Sequence, residues 1–140
     1  MTDLVVRGGR VVTAERSFEA DVAVTDGRIS AIGPELPLDA GTDVVDATGQ
    51  LVLPGCVDAH THIRLPTDDE PDRFYQDSLA GAFGGTTTFL TFNNPGTGIS
   101  EEGSRSLLAG LREFQARTAG ESAVDFALSA VITGQQDDPI

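Results

Sequence analysis

The pattern of the sequence changes near residue 53, and this change constrains the fold more than any other feature. Before it, short β-branched runs are separated by tight-turn signals; after it, strand-like runs alternate with helix-like runs. Such an order predicts a small β unit followed by the first strands of a parallel α/β array. We therefore expect an α/β chain with two parts, residues 1–53 and 54–140.

The first part is predicted to consist of short strands joined by turns. Gly8-Gly9 separates apolar runs at 4–6 and 11–13, and Asp26-Gly27 separates runs at 21–25 and 28–32. An Asp-Gly pair is a hairpin signal, because both residues tolerate the positive φ of a type I′ turn. A further strand is predicted at 44–46, after a looser stretch that contains prolines.

The second part shows longer periods. A helix is predicted over 73–83, with Phe74 and Phe83 on its apolar side and Gly84-Gly85 at its end. A strand follows at 86–92. A second helix, capped by Ser100, is predicted over 101–119, and another strand over 124–132.

The composition excludes several classes of function. The formal net charge is −13, from 22 acidic and 9 basic residues, and such a charge repels nucleic-acid phosphates. The single cysteine, Cys56, permits no internal disulfide and lies in an apolar run, so we interpret it as a small buried residue. No apolar run approaches the about 20 residues of a membrane span, and no signal peptide is evident, so a cytoplasmic location is expected.

The clearest chemical signal is Asp58-x-His60-x-His62, which follows the turn at Pro54-Gly55. Residues two apart on a strand project from the same face, so the two imidazoles should point together. Neutral imidazole is a good ligand for zinc and similar ions. The competing interpretation is two surface histidines at a strand end, but these are the only histidines in the chain.

Two segments, LPGCVDAHTHIRLP at 53–66 and GAFGGTTTFLTFNNP at 81–95, resemble the amidohydrolase superfamily. The resemblance is to the N-terminal portion of its cyclic amidohydrolase branch, which includes the dihydropyrimidinases (hydantoinases), dihydroorotases and allantoinases. It implies a small β-sandwich portion at 1–53. It also implies the first β/α units of a TIM (β/α)8 barrel at 54–140, with the barrel incomplete in this chain.

The resemblance also implies roles for individual residues. His60 and His62 match metal ligands, usually of zinc, in a centre that is binuclear in the intact enzyme, and Asp58 matches an orienting residue. Arg64 falls where dihydroorotases place an arginine that binds the substrate carboxylate. Asn94 falls where they place an asparagine with the same task, although the neighbouring Asn93 makes this match ambiguous.

The implied activity is the opening of a cyclic amide, such as a hydantoin or dihydropyrimidine, by a metal-activated hydroxide. The family's other metal ligands and its catalytic aspartate come from later strands. Because the chain has no lysine and no histidine after His62, we expect no catalytic residue in it and no activity from it alone. A small-molecule substrate, no nucleic-acid or membrane partner, and a homo-oligomer of the intact enzyme are expected.

Three alternatives stay open at this point. One is a dihydroorotase-like or allantoinase-like hydrolase of a ring that bears a carboxylate. Another is an aminoacylase-like or deaminase-type amidohydrolase. The third, of a different class, is a truncated chain without catalysis that acts at most as a binding or assembly module.

Overall fold

The computed structural model describes residues 1–93, 98–134 and 136–137. The chain divides into two compact units, Met1–Pro54 and Gly55–Ile140. The α/β class is confirmed. No helix in the described ranges is long and apolar enough to cross a membrane.

The first unit is a mixed five-stranded sheet. Its strands are β1 (Leu4–Val12), β2 (Ser17–Thr25), β3 (Arg28–Gly33), β4 (Asp43–Asp46) and β5 (Leu51–Val52). The spatial order is β3-β2-β1-β4, and β5 also pairs with β1. β1 and β3 run antiparallel to β2, whereas β4 and β5 run parallel to β1.

One of the two predicted turns in this unit is confirmed and the other is wrong. Asp26 and Gly27 have φ of 51° and 68° and join β2 to β3 as a tight hairpin. Gly8-Gly9 does not form a turn: β1 continues through it, with φ of 69° at Gly8 and a register shift between Val6 and Gly9. A positive-φ glycine inside a strand produces a β-bulge instead of a reversal.

The second unit alternates strands and helices, as predicted. It contains β6 (Cys56–Thr61), α1 (Arg73–Phe83), β7 (Thr86–Asn93), α2 (Glu101–Arg105), α3 (Leu107–Thr118) and β8 (Asp125–Ala130). The three strands form a parallel sheet in the order β6-β7-β8. β6 and β8 are therefore the two edges of this sheet.

The predicted single helix over 101–119 is wrong. Ser106 has an extended conformation, with φ of −124° and ψ of 123°, and it separates α2 from α3. Its hydroxyl accepts a hydrogen bond from the Ala109 N–H, so a serine in mid-pattern acts as the N-cap of a second helix. Ser100 caps α2 in the same way, through the Gly103 N–H, as predicted.

The core of the second unit lies between one face of the sheet and the helices. It is built around aromatic side chains, and the Phe74 ring lies 5.2 to 6.1 Å from those of Phe89, Phe114 and Phe126. Phe83 was predicted on this apolar side but is 87% exposed. Nine helical steps of 100° place Phe83 half a turn away from Phe74, which explains the error.

Cys56 was also interpreted wrongly. It is exposed, as are the other residues from 56 to 60 in the edge strand β6. An apolar run in the sequence does not reveal whether its strand has a neighbour on both sides.

Candidate metal-binding site

His60 and His62 lie where β6 ends, beside the C-terminal end of β7. Asp58 pairs with Phe89, and Thr61 pairs with Thr91, so β6 contains one more residue than β7 between these two pairs. A β-bulge of this kind redirects the side chains that follow it. Asp58 and Thr61 line a small cavity on the α1 side of the sheet, whereas both imidazoles lie against Phe92.

The two imidazoles and Phe92 form a compact cluster. The ring centroids of His60 and His62 are 5.5 Å apart, and those of His60 and Phe92 are 4.6 Å apart. The centroids of His62 and Phe92 are 5.4 Å apart, with nearly parallel planes. Both histidines are exposed, and their rings lie with Phe92 on the face of the sheet opposite the helices.

The predicted same-face arrangement of the two histidines is thus present, and its dimensions suit shared coordination. Metal-to-imidazole nitrogen distances are about 2.0–2.1 Å, which places the centroids of two rings on one ion on the order of 5 Å apart. In the described part of the chain no third histidine, cysteine or acidic side chain joins them. The residues therefore fit part of a metal site, with two donors from one strand end.

Asp58 supports the backbone of the histidine segment rather than an imidazole ring. Its Oδ1 accepts a hydrogen bond from the His60 N–H at 3.1 Å. The bulge displaces this stretch of backbone from the regular pairing with β7, and the carboxylate supplies an acceptor at that point. The contact fits an orienting role for Asp58.

A pocket of about 430 Å³ opens beside His62. Its walls are mainly apolar, and it also includes two arginines. Lining residues include His62, Arg64, Leu65, Arg73, Phe92 and Phe114. Pockets with apolar walls and a few polar groups are the usual form of small-molecule sites.

Arg64 lines this pocket, but its guanidinium is bound to Asp77 of α1. Nε donates to Asp77 Oδ2 at 2.9 Å and Nη2 donates to Oδ1 at 2.7 Å. The backbone N–H of Arg64 also donates to Oδ2, at 3.3 Å. These hydrogen bonds from Arg64 hold the pKa of the Asp77 carboxyl below its ordinary value, although partial burial opposes the shift.

Of the two asparagines, Asn93 lies in the described part of the chain. Asn93 is 3% exposed, and its Oδ1 accepts a hydrogen bond from the Val131 N–H at 3.2 Å, so it joins β7 to the segment after β8. Asn94, the residue predicted to bind substrate, lies outside the described residues.

Three residues of this region were not found from the sequence. Phe92 packs against both histidine rings, and Thr91 Oγ1 accepts a hydrogen bond from the Ile63 N–H at 3.2 Å. Both belong to a β-branched and aromatic run that indicated only a strand. Asp77 is the one acidic residue in α1, a helix that is otherwise mostly apolar. Its position in that helix was the one sequence signal that could have indicated a specific partner.

Comparison with known proteins identifies the relatives of this chain. It is 35% identical over 135 residues to a D-hydantoinase of Streptomyces coelicolor. This alignment covers 92% of this chain and 28% of that protein. It is also 36% identical over 132 residues to dihydropyrimidinase 2 of Caenorhabditis elegans, in an alignment that covers 93% of this chain and 24% of that protein. No family model matches the sequence.

Solved structures agree with these relatives. A crystal structure of D-hydantoinase superposes with a TM-score of 0.78 and 32% identity, covering 98% of this chain and 28% of that one. The chain thus spans about a quarter of the length of the curated relatives that it matches. The predicted resemblance is confirmed, and it extends over nearly all of these 140 residues.

Proposed function

The chain is homologous to the N-terminal part of the hydantoinases and dihydropyrimidinases, and from this premise we propose that it contributes to a metal-dependent hydrolase of cyclic amides. The observation that carries the proposal is the pair of imidazoles on one face of the sheet, 5.5 Å apart, beside a pocket of small-molecule size. Under this proposal, residues 1–53 belong to a β-sandwich, and 54–140 form the first β/α units of a TIM barrel.

His60 and His62 would hold a divalent ion, most suitably zinc, because neutral imidazole is among its preferred ligands. The chemistry that such an ion supplies when bound is activation of water and polarisation of an amide carbonyl. The chain's own residues position the ligands: Asp58 fixes the backbone at His60, and Phe92 fills the space behind both rings. Arg64 and Asn94 stay predictions as residues that contact the substrate.

In the family that the chain resembles, the other donors of the binuclear centre are a lysine and two further histidines. This sequence has two histidines and no lysine, so under this proposal those donors come from other polypeptide. We accordingly propose that residues 1–140 alone do not turn over substrate. A dihydroorotase-like activity on a carboxylate-bearing ring is the competing proposal, and a non-catalytic module is the alternative of another class. Assays with rings that do and do not carry a carboxylate separate the three.

The test uses the native product purified from its source cells. Its intact mass establishes which polypeptide accompanies these residues, and assays with hydantoin, dihydrouracil and dihydroorotate establish the ring that it opens. We expect hydrolysis of a neutral ring and loss of that activity on chelation. Absence of turnover with all three rings in zinc-loaded protein would contradict the proposal.

The metal ligands are tested separately by metal content. Loss of a residue that only orients a metal ligand typically weakens metal binding by about 10- to 100-fold. His60→Ala and His62→Ala each remove a ligand, so each should weaken zinc binding by more than that. Thr61→Ala is the matched control, because its side chain lies on the opposite face of the same segment. Equal zinc content in all four proteins, measured by atomic emission after dialysis, would remove these histidines from the site.

A further inference from the structure

The bond between Arg64 and Asp77 occupies one complete edge of the guanidinium. Nε and Nη2 each donate to a separate carboxylate oxygen, at 2.9 and 2.7 Å, in the bidentate form that makes arginine a strong carboxylate ligand. The Asp77 side chain is 24% exposed and the Arg64 side chain 54% exposed. Arg64 lines the pocket beside His62, whereas Asp77 lines the small cavity on the α1 side and draws the guanidinium towards it. The edge best suited to a substrate carboxylate is thus already bound to a protein carboxylate.

Two neighbouring arginines are also engaged, by backbone carbonyls and by one carboxylate each. Arg73, which also lines the pocket, donates from Nη1 to Glu70 Oε2 at 2.9 Å and from Nε to the Leu65 carbonyl. Arg117 donates to the carbonyls of Pro66 and Gly98 and lies 3.6 Å from Glu113. In the described part of the second unit, these three cations around the end of β6 are each matched by a carboxylate.

This charge balance has a consequence for ligand choice. A substrate carboxylate that approached Arg64 would lie beside the Asp77 carboxylate, and the repulsion would offset much of the attraction to the guanidinium. A ring without a carboxylate meets no such opposition, and the mainly apolar walls of the pocket suit it. Discrimination of this kind depends on a repulsive group as much as on an attractive one.

We propose that Asp77 is a specificity-determining residue, which acts through Arg64 to keep the pocket beside His62 for rings that carry no carboxylate. The inference rests on the proposed function for its substrate class. Asp77 is a positioning residue in this scheme, because it holds the guanidinium and the Arg64 backbone N–H against α1. When Asp77 is removed, the guanidinium becomes available to a ligand.

The experiment compares two rings that differ by one carboxylate, dihydrouracil and dihydroorotate, on the zinc-loaded native polypeptide. The variants are Asp77→Ala, Asp77→Asn, the double variant Asp77→Ala/Arg64→Gln, and the control Asp69→Asn. The control removes an equal charge from an exposed position in the preceding loop. Both kcat/KM and the Kd of each ring by calorimetry are measured, and circular dichroism establishes that each variant is folded.

Wild-type protein should favour dihydrouracil. Asp77→Ala should raise the affinity and kcat/KM for dihydroorotate relative to dihydrouracil by about 10- to 100-fold, the usual strength of a charge-assisted hydrogen bond. Asp77→Asn should give a smaller gain, the double variant should lose the gain, and Asp69→Asn should show none.

The inference is overturned if folded Asp77→Ala and Asp77→Asn leave both ratios unchanged, or if the gain persists without Arg64. The calorimetric arm separates this failure from that of the proposed function. Absence of turnover in every protein, together with an Arg64-dependent gain in dihydroorotate binding, would contradict the hydrolase and support the role of Asp77.

Discussion

At the scale of single residues, the bulge in β6 determines the face of the sheet from which Asp58, His60 and His62 project. Spacing alone places all three on one face, because strand side chains alternate. The extra residue between Asp58 and Thr61 separates them, so the carboxylate lies on the α1 side and the imidazoles lie against Phe92. Asp58 therefore accepts a hydrogen bond from the backbone, whereas the two histidines project their rings on the opposite face.

Asp58→Ala should lower zinc affinity by about 10-fold, since residues that orient metal ligands typically contribute 10- to 100-fold. The His60 N–H would lose its acceptor, and the bulge would lose its fixed geometry. Asp58→Asn keeps an oxygen at the same position and should bind zinc almost as wild type does. Competition with a chromophoric chelator measures these affinities. A loss with asparagine as large as that with alanine would show that the negative charge, and not the hydrogen bond, is what matters.

At the scale of elements, Asp21 of β2 joins the bulge of β1 to the loop after β3. Its carboxylate accepts hydrogen bonds from the Gly8 N–H at 2.8 Å and the Leu36 N–H at 3.0 Å, and Arg7 lies 3.5 Å away. The bond from Gly8, followed by those from Leu36 and Arg7, holds the pKa of Asp21 below its ordinary value, although burial opposes the shift. The buried Asp21 carboxylate of β2 thus stabilises the bulge in the neighbouring strand β1.

A carboxyl whose pKa is lower in the folded state stabilises that state when ionised. Its contribution is complete above the unfolded pKa, about 3.9, and is lost as the pH falls from there through the folded pKa. Asp21→Ala should reduce the free energy of unfolding by about 1–3 kcal/mol at pH 7, because two backbone donors lose their acceptor. Urea unfolding of the native polypeptide at pH 7 and near pH 3 should show a smaller difference at the lower pH.

Glu19→Ala is the control for Asp21, because Glu19 is an exposed acid two residues earlier on the same strand. It should change stability by no more than a few tenths of a kcal/mol. A difference between wild type and Asp21→Ala that is constant with pH would show that the ionised carboxylate is not the stabilising species.

The elements that the sequence predicted correctly are those specified by local signals. The Asp26-Gly27 hairpin, the helix at Arg73–Phe83 and the parallel order of the later strands each follow from turn residues or periodicity within a short window. The bulge at Gly8, which was misjudged, depends on a distant partner, because Asp21 of the next strand accepts the hydrogen bond of its N–H. In the candidate site, the paired histidines followed from spacing, whereas the Arg64–Asp77 bond joins residues 13 positions apart and has no local signature.

At the scale of the whole molecule, exposed apolar side chains bear on how these residues associate. Large apolar residues more than half exposed occur in both units: Ile29, Leu51 and Leu53 in the first, and Val57, Phe83, Leu108 and Ile132 in the second. The second unit also has two edge strands, β6 and β8. Unpaired edges and exposed apolar patches favour association with another surface.

Residues 1–140, expressed alone, should therefore self-associate as their concentration rises. Phe83→Lys should weaken this association, because it replaces an 87% exposed aromatic ring by a charge at the end of α1. Gln76→Lys adds the same charge to an exposed position of the same helix and should have a smaller effect. Sedimentation velocity over a range of concentrations measures the association. A wild-type fragment that stays monomeric throughout would refute the expectation.

The bulge in β6 has a consequence for which changes in length the segment can survive. Deletion of Ala59 would restore regular pairing, with His60 opposite Leu90 and Thr61 still opposite Thr91. Both imidazoles would then keep the face on which Phe92 lies, and Asp58 would keep the opposite face. What the deletion would remove is the bulge at which the His60 N–H meets the Asp58 carboxylate. The segment can therefore lose a residue without reversing its histidines, but it would lose the contact that fixes their backbone.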